Sequence, residues 1–410
     1  MKYPIKYFSG SGVQIFRKED FERKIKFFDK LSNMTAPIVG ETGIDGVLID
    51  FNYGLRLQIP EGNWHVRISD YETDYIFFDD DISCVTLISA EKFFIEWEVA
   101  LWLDGEPVFY HQFDPRGQKV HFHFSETTLG DNIALLIYIE AFRQKYDCEV
   151  SCSIVKPFHG IVRNYYPNVR LTSTLSADCY ACFYMSMPIN LPFSATENAL
   201  SIPLLQVGNS ILHCIDQPKK IIYTPTKPRS IKEKYVCISV QASSTAKSWL
   251  NPDGWSTVIE HLKSLGYRVL CIDRDRKCTN YNRTIEMPDG VEDLSGDYTL
   301  IDRVNQLAYA DFFIGLGSGL SWLAWAVGIP VILISGISYR WYEFDTPYRI
   351  NNRLVCHGCF NETRDGKAYN NCPLFKGTDR EFECSKEISA RQVINAVARL
   401  IADNNLNGRN

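Results

Sequence analysis

The sequence predicts an α/β protein in which two strand–helix–strand units face each other across a cleft, with a β-rich segment ahead of them and a four-cysteine finger near the end. Three observations carry this. Up to residue 117, short apolar runs alternate with Gly-, Pro- and Asp-rich turns, the pattern of antiparallel strands. From residue 118 the rhythm becomes strand–helix–strand and then repeats, as parallel α/β units require. Cys356, Cys359, Cys372 and Cys384 crowd into one apolar-poor insert. At 410 residues the chain exceeds one ordinary core and suits two or three domains. Hydrophobic residues at 45% and charged residues at 22% exclude a disordered, collagenous or coiled-coil protein. A net charge of -6 gives no reason to expect a nucleic-acid partner. The longest apolar run, Leu320 to Ile337, is cut by Gly328-Ile329-Pro330, so no membrane span is expected. The start, Met1-Lys2-Tyr3-Pro4, lacks the apolar stretch of an export signal, and thirteen scattered cysteines read as reduced thiols of a cytoplasmic protein.

In order along the chain, strands are expected in Gly46–Gly54, Leu55–Ile59, Trp64–Ile68, Tyr75–Phe78, Cys84–Ile88 and Phe93–Val99, forming a barrel or sandwich, with one helix near Asp20 to Leu31. Val120, Phe122 and Phe124 mark the first strand of the first α/β unit. His121 and His123 on its other face read as surface residues rather than ligands. A helix over Asn132 to Tyr146 follows, then strands at Cys148–Val155, Tyr180–Met185 and Ile211–Ile215. The segment Gln217 to Lys234, rich in Pro, Lys and Arg, is the hinge. After it come a strand at Tyr235–Val240, a helix at Asp253–Leu265, a strand at Tyr267–Ile272, a helix at Thr299–Ala308, a strand at Asp311–Gly315, a helix at Leu320–Val327 and a strand at Val331–Ser335. The chain so divides into residues 1–117, 118–226, 227–350, the finger 351–387 and a C-terminal helix in 388–410.

Four stretches can carry chemistry. In Thr128-Leu129-Gly130-Asp131, Gly130 permits a tight turn and Asp131 stands at the start of a helix, either as a base facing the cleft or as an N-cap. Gly315 to Ala324 places three glycines before a helix, whose free amides and dipole suit an anion; a tight turn without a ligand is the alternative. Lys247, among hydroxyls after the second unit's first strand, can neutralise a diphosphate or lie on the surface. Cys356-x2-Cys359 with Cys372 and Cys384 offers four thiolates to one ion and leaves no vacancy for water, so a metal there is structural, and the spacing favours zinc; four free thiols in an irregular loop are the alternative.

Thr-Leu-Gly-Asp opening the first unit, Lys-Ser-Trp after the second unit's first strand and Gly-Ser-Gly-Leu before a helix ending Gly-Ile-Pro together resemble the bacterial heptosyltransferases. The β-rich extension and the finger make the chain similar to the autotransporter O-heptosyltransferases among them. That resemblance implies a GT-B fold of two Rossmann-like halves, the first on the acceptor side and the second binding the nucleotide sugar. It implies transfer of heptose from ADP-heptose, with inversion, to serine hydroxyls of an autotransporter adhesin passenger. It makes Asp131 the general base and Lys247 the diphosphate contact. Thr128 and Gly130, in the first turn, bind the ADP-sugar together with Ser318, Gly319 and Leu320, the backbone cradle of its diphosphate, with no catalytic divalent cation. It also implies iron rather than zinc on the four cysteines, and a large homo-oligomer, a dodecamer. Trp322 departs from the histidine common at that position in the lipopolysaccharide enzymes. A heptosyltransferase for lipopolysaccharide core or another glycan, and a non-catalytic assembly protein on the same fold, are the competing readings.

Overall fold

The computed structural model describes residues 3–10, 12–16, 36–125, 127–173, 179–187, 195–215, 218–280, 283–362 and 371–406. The helix expected near Asp20 to Leu31 lies outside them. Nine described strands precede residue 118: β1 (Ile5–Ser9), β2 (Gly12–Phe16), β3 (Leu48–Asn52), β4 (Arg56–Ile59), β5 (Trp64–Asp70), β6 (Ile76–Ile82), β7 (Val85–Ser89), β8 (Trp97–Leu103) and β9 (Glu106–Gln112). Alternation sets their faces: in β8, Trp97, Val99 and Leu101 are buried while the residues between them are not. Strands β6, β5, β8 and β9 make an antiparallel sheet. It shares a core with the other strands, as where the Phe8 ring meets Phe78 and Trp97 at 5.9 and 6.2 Å.

Those other strands do not close a separate barrel. The first α/β unit supplies β10 (Lys119–Phe124), β11 (Glu149–Ser153), β12 (Val169–Leu171) and β13 (Ala181–Met185), all parallel. Strand β13 pairs with β3, Ala181 opposite Phe51 and Cys182 opposite Asn52, so one nine-stranded sheet runs β12-β11-β10-β13-β3-β4-β7-β1-β2. The expectation of a self-contained barrel or sandwich missed this continuity, because strand pairing between distant segments leaves no local pattern. Two other expectations also change. His121 is buried, not on the surface: its ring nitrogens lie 2.9 Å from Ser151 Oγ and Ser153 Oγ, and burial lowers its pKa to about 4, keeping it neutral. Ile211 lies in the helix Val207–Leu212, not a strand. Short apolar runs do not distinguish the two, and the helix sets Gly208 directly against the Tyr138 ring.

The second unit contains β14 (Tyr235–Ile238), β15 (Arg268–Cys271), the hairpin β16 (Lys277–Asn280) and β17 (Arg283–Glu286), then β18 (Glu292–Asp293), β19 (Phe313–Leu316), β20 (Val331–Ile334) and β21 (Arg349–Ile350). Its six-stranded sheet, β18-β15-β14-β19-β20-β21, is parallel throughout. The apolar run singled out in the sequence becomes the helix Gly319–Val327, closed by Gly328 at φ 93 before Pro330 leads into β20. Helix Ala390–Asp403, with its Ser389/Gln392 capping box, buries Val393, Val397 and Leu400 in the same core as Val258 and Ile259 of helix Gly254–Ser264. In each sheet the strand order reverses beside the first strand, at β10/β13 and β14/β19, and ligands bind outside the carboxyl ends at such points. No described helix is long and apolar enough to cross a membrane.

The junction of β3 and β4 carries a buried ion pair. Arg56, 1% exposed, donates from Nε and Nη2 to the two oxygens of Asp50 at 2.7 and 2.6 Å, and from Nη1 to the Ala36 carbonyl at 2.7 Å. Removing one partner leaves an uncompensated charge in the core. Asp50→Ala should therefore cost about 3–5 kcal/mol, read as a lower denaturation midpoint. Asp50→Leu combined with Arg56→Met should cost less than Asp50→Ala alone.

Candidate active site

A cleft of about 840 Å³ opens between the carboxyl ends of the two sheets, and three loops build it. The first follows β10. Thr128, extended at φ -78 and ψ 141, occupies the N-cap of helix Leu129–Tyr146, and Asp131 is that helix's third residue. Asp131 is therefore not the N-capping residue. Its carboxylate accepts a hydrogen bond from the Thr128 hydroxyl, while Asn132 Nδ2 fixes the turn from below by donating to the Thr128 carbonyl at 2.8 Å. Thr128, Gly130 and Asp131 all line the cleft.

The second loop follows β14. Ser239 Oγ and the Val240 amide donate to Asp273 at 2.6 and 2.8 Å, tying the loop to the end of β15. Burial pushes the Asp273 carboxyl above its ordinary range. Lys247 ends the single turn Thr245–Lys247; it lines the cleft, with its ammonium 5.6 Å from the centre of the Phe360 ring.

The third loop follows β19. Ser318, at φ -135 and ψ 171, caps helix Gly319–Val327 without a side-chain hydrogen bond. Its amide is already used, donating to the Leu316 carbonyl at 2.6 Å. Its Oγ, by contrast, is buried and has no partner among the described residues. The amides of Gly319 and Leu320 open the helix and have no intrahelical acceptor, and the helix dipole adds partial positive charge there. Of the groups in this turn, two amides and one hydroxyl are thus left without a partner among the described residues.

The first and third loops touch. A Cβ on Gly319 would lie 2.5 Å from Leu129 Cβ, and one on Gly130 would lie 2.8 Å from Trp322 Cδ1. Only glycine allows so close an approach. Trp322, 3% exposed and packed against Trp325 and Phe344, is the wall behind Gly130. The structure also brings residues to the cleft that no sequence signal marked: Ser338, Tyr342, Glu343 and Phe360. They lie in irregular loops beyond strand ends or, for Phe360, in the cysteine insert, where spacing is uninformative.

Cys356, Cys359, Cys372 and Cys384 all border one hollow of about 10 Å³, the space of a single small ion or water. Burial raises the Cys359 and Cys384 thiols to about 11 and 12. Among the described residues no group of three or more His, Cys, Asp or Glu side chains is arranged to hold a metal, so four-cysteine coordination is not shown.

Residues 43–105 match the family described as the N-terminal domain of glycosyltransferase TibC, and residues 206–363 match glycosyltransferase family 9 (heptosyltransferase). The chain is 38% identical over 370 residues to the autotransporter heptosyltransferase BAHTCr of Citrobacter rodentium, covering 88% of this chain and 90% of that protein. This chain belongs to the autotransporter heptosyltransferases. Within the family, TibC of Escherichia coli O78:H11 is 36% identical over 88% of this chain and 91% of its own length. A member named as inactive, BimC of Burkholderia thailandensis, is 31% identical over 86% of this chain and 85% of its own length. The crystal structure of the iron-containing dodecameric TibC from enterotoxigenic E. coli superposes with a TM-score of 0.85 at 34% identity, covering 90% of this chain and 99% of that one. TibC in complex with ADP-D-beta-D-heptose superposes equally well. The fold is the GT-B arrangement of two facing α/β halves, with the β-rich region ahead of it.

The contact between the two turns is steric, and its two sides should not behave independently. Gly130→Ala should destabilise by about 1–3 kcal/mol, as overpacking does, and Trp322→Ala by about 3–5 kcal/mol through its cavity. Measured by denaturation in a double-mutant cycle, the pair should cost clearly less than the sum, because the cavity of one substitution accommodates the methyl of the other.

Proposed function

We propose that this autotransporter heptosyltransferase transfers heptose from ADP-heptose to serine hydroxyls of an autotransporter adhesin passenger, inverting the anomeric configuration. The observation that carries the proposal is that one cleft, at the facing carboxyl ends of both sheets, is lined at once by Asp131, Lys247 and the turn Ser318–Leu320. A carboxylate from one half and a cation with an anion cradle from the other are the two functions such a transfer needs. The TibC complex with ADP-D-beta-D-heptose supports the donor, and the names of the relatives support the acceptor.

In this mechanism Asp131 accepts the serine proton as the hydroxyl oxygen attacks the anomeric carbon. The Thr128 hydroxyl holds the carboxylate in place. The bond from that carbon to the diphosphate oxygen breaks with both electrons leaving on ADP. Attack comes from the face opposite ADP, through an oxocarbenium-like transition state. Lys247, the amides of Gly319 and Leu320 and the Ser318 hydroxyl meet the growing negative charge, the electrostatic share of the barrier. With that charge met by protein groups, no divalent cation is needed at the diphosphate.

The finger is proposed to hold iron through Cys356, Cys359, Cys372 and Cys384. Four thiolates suit iron or zinc, the hollow between them fits one ion, and TibC contains iron. The ion would brace an insert poor in apolar contacts. A large, TibC-like homo-oligomer and a cytoplasmic site of action, where thiols stay reduced, belong to the same proposal. The second reading is a non-catalytic assembly protein, since a relative of this family is named as inactive. The presence of both Asp131 and Lys247 at the cleft favours catalysis. The match to a TibC N-terminal domain counts against a lipopolysaccharide acceptor.

Asp131→Asn should keep the fold and ADP binding yet lose about 10²- to 10⁴-fold in transfer, scored as added heptose units in the intact mass of a co-expressed adhesin fragment. Full transfer by that variant would overturn the assignment of the base. Wild-type transfer should persist through a short assay in EDTA. Ser in place of any one of the four cysteines should lose iron by elemental analysis and lower the melting temperature or the assembly size. A metal-free variant with unchanged melting and size would remove the finger's structural role.

A further inference from the structure

The antiparallel sheet β6-β5-β8-β9 has an outer face that the mechanism above does not use, and that face carries a hollow. Val66 and Ile68 of β5 and Val99 and Leu101 of β8 point into the core, so Arg67, Glu98, Ala100 and Trp102 come up on the other side. The ladders set Arg67 and Tyr110 on either side of Ala100, and His65 beside Trp102. Ala100 offers only a methyl group among these larger neighbours, and the shortfall leaves a space of about 290 Å³. That is the small end of the range for ligand pockets, about 300–1,000 Å³, and suits a single ring. The hollow is remote from the cleft. Phe94, which precedes β8, stacks at 5.5 Å on Tyr146, the last residue of helix Leu129–Tyr146. The cleft lies at that helix's other end, about 25 Å along its axis.

Its walls divide into committed and open groups. Glu98 is committed: its Oε2 accepts from Ser69 Oγ at 3.1 Å, and the Tyr110 hydroxyl also bonds to it. Arg67, its side chain 48% exposed, gives Nε and Nη2 to Asp79 Oδ2 at 3.0 and 2.8 Å, while its Nη1 has no partner among the described residues. Asp74 is exposed in the turn before β6, and its carboxylate likewise has no partner among the described residues. Trp102 packs at 5.2 Å and 61° against His65, whose two ring nitrogens lie 2.8 Å from Asp79 and 2.9 Å from Asp81, so the indole is held in place. One open donor, one open acceptor and a fixed aromatic plane over a methyl floor match a sugar ring. Its hydroxyls donate to a carboxylate and accept from a guanidinium, and its C–H face is apolar surface for the indole. A phosphate would face the carboxylates of Asp74 and Glu98. A purely apolar group would strip water from Arg67 and Asp74 and give nothing back.

We propose that this hollow, between Trp102, Arg67 and Asp74 over Ala100, binds a heptose already attached to the adhesin passenger and so retains a partly modified acceptor while the distant cleft works on another serine. The proposal rests on the transfer proposed above, which puts that sugar on the passenger. Two sites on one enzyme engaging one polypeptide raise the affinity through effective concentration. The hollow binds; it takes no part in the chemistry.

The test is calorimetric titration of the full-length protein with a heptose-bearing adhesin fragment, with the same fragment unmodified, and with free heptose as competitor. Wild type is compared with Ala100→Leu, which fills the hollow, Trp102→Ala, and Asp74→Asn. Asp74 sits at φ 57, a conformation asparagine also tolerates, so the last variant keeps the turn. Wild type should bind the modified fragment about tenfold more tightly than the unmodified one, and excess free heptose should remove that gain. In Ala100→Leu and Trp102→Ala the gain should fall to within about twofold, and in Asp74→Asn it should shrink about threefold, as for a charged acceptor made neutral. ADP affinity, which reads the cleft and the fold, should stay within about twofold in all three. An undiminished gain in Ala100→Leu would overturn the proposal, as would a wild type with no preference between the fragments. Equal loss for both fragments would also overturn it, because the face would then read the polypeptide and not the sugar. A wild type that adds no heptose, seen in the fragment's mass before any titration, would overturn the transfer itself and with it this ligand.

Discussion

The closeness of two helix N-termini governs this molecule. Leu129 meets Gly319, and Gly130 meets Trp322, across the boundary between the halves. Each helix begins at the carboxyl end of a parallel strand, so two partial positive charges converge on one cavity in a protein whose net charge is -6. Any side chain on either glycine would push the loops apart and separate the carboxylate on one from the amides on the other. The chemistry proposed for the cleft thus depends on two absent Cβ atoms more than on any attractive contact.

Polar groups around that junction divide by what already holds them. Asp273, Asn132 and the Ser318 amide are committed to partners within the fold, and they shape the loops. The Ser318 hydroxyl is buried without a partner among the described residues. An unpaired buried hydroxyl costs about 1–3 kcal/mol, which a ligand can recover. Glu343, braced by Arg349 and two serines, is committed as well, although it borders the cleft.

Much of this was legible in the sequence, for identifiable reasons. Periodicity located β10, β14, β19 and the helices Gly254–Ser264 and Leu300–Leu307 within a few residues, because parallel strands and amphipathic helices leave strong local patterns; the short helices His159–Tyr165 and Val207–Leu212 left none. The three loops of the cleft were found because glycines, a lysine and an acid at strand ends are locally conspicuous. Pairing between distant segments was not legible: nothing near Phe51 or Ala181 announces their ladder. Nor were Glu343, which reaches the cleft from an irregular loop, and Phe360, which reaches it from the short helix Cys359–Glu362. The buried state of His121 was hidden because its partners, Ser151 and Ser153, lie on another strand. Which of the Ser318 groups is available depended on a single backbone hydrogen bond.

The ladder joining β3 to β13 has a consequence for how the chain comes off the ribosome. Strand β3 is made early, yet its partner emerges only after the whole of β10, β11 and β12. Until then the nascent β-rich segment carries an open strand edge, the kind of surface that recruits neighbouring chains into aggregates. Contacts this far apart in sequence also form slowly. The interval between translating Asn52 and translating Cys182 is therefore the period in which this protein is most exposed to misassembly.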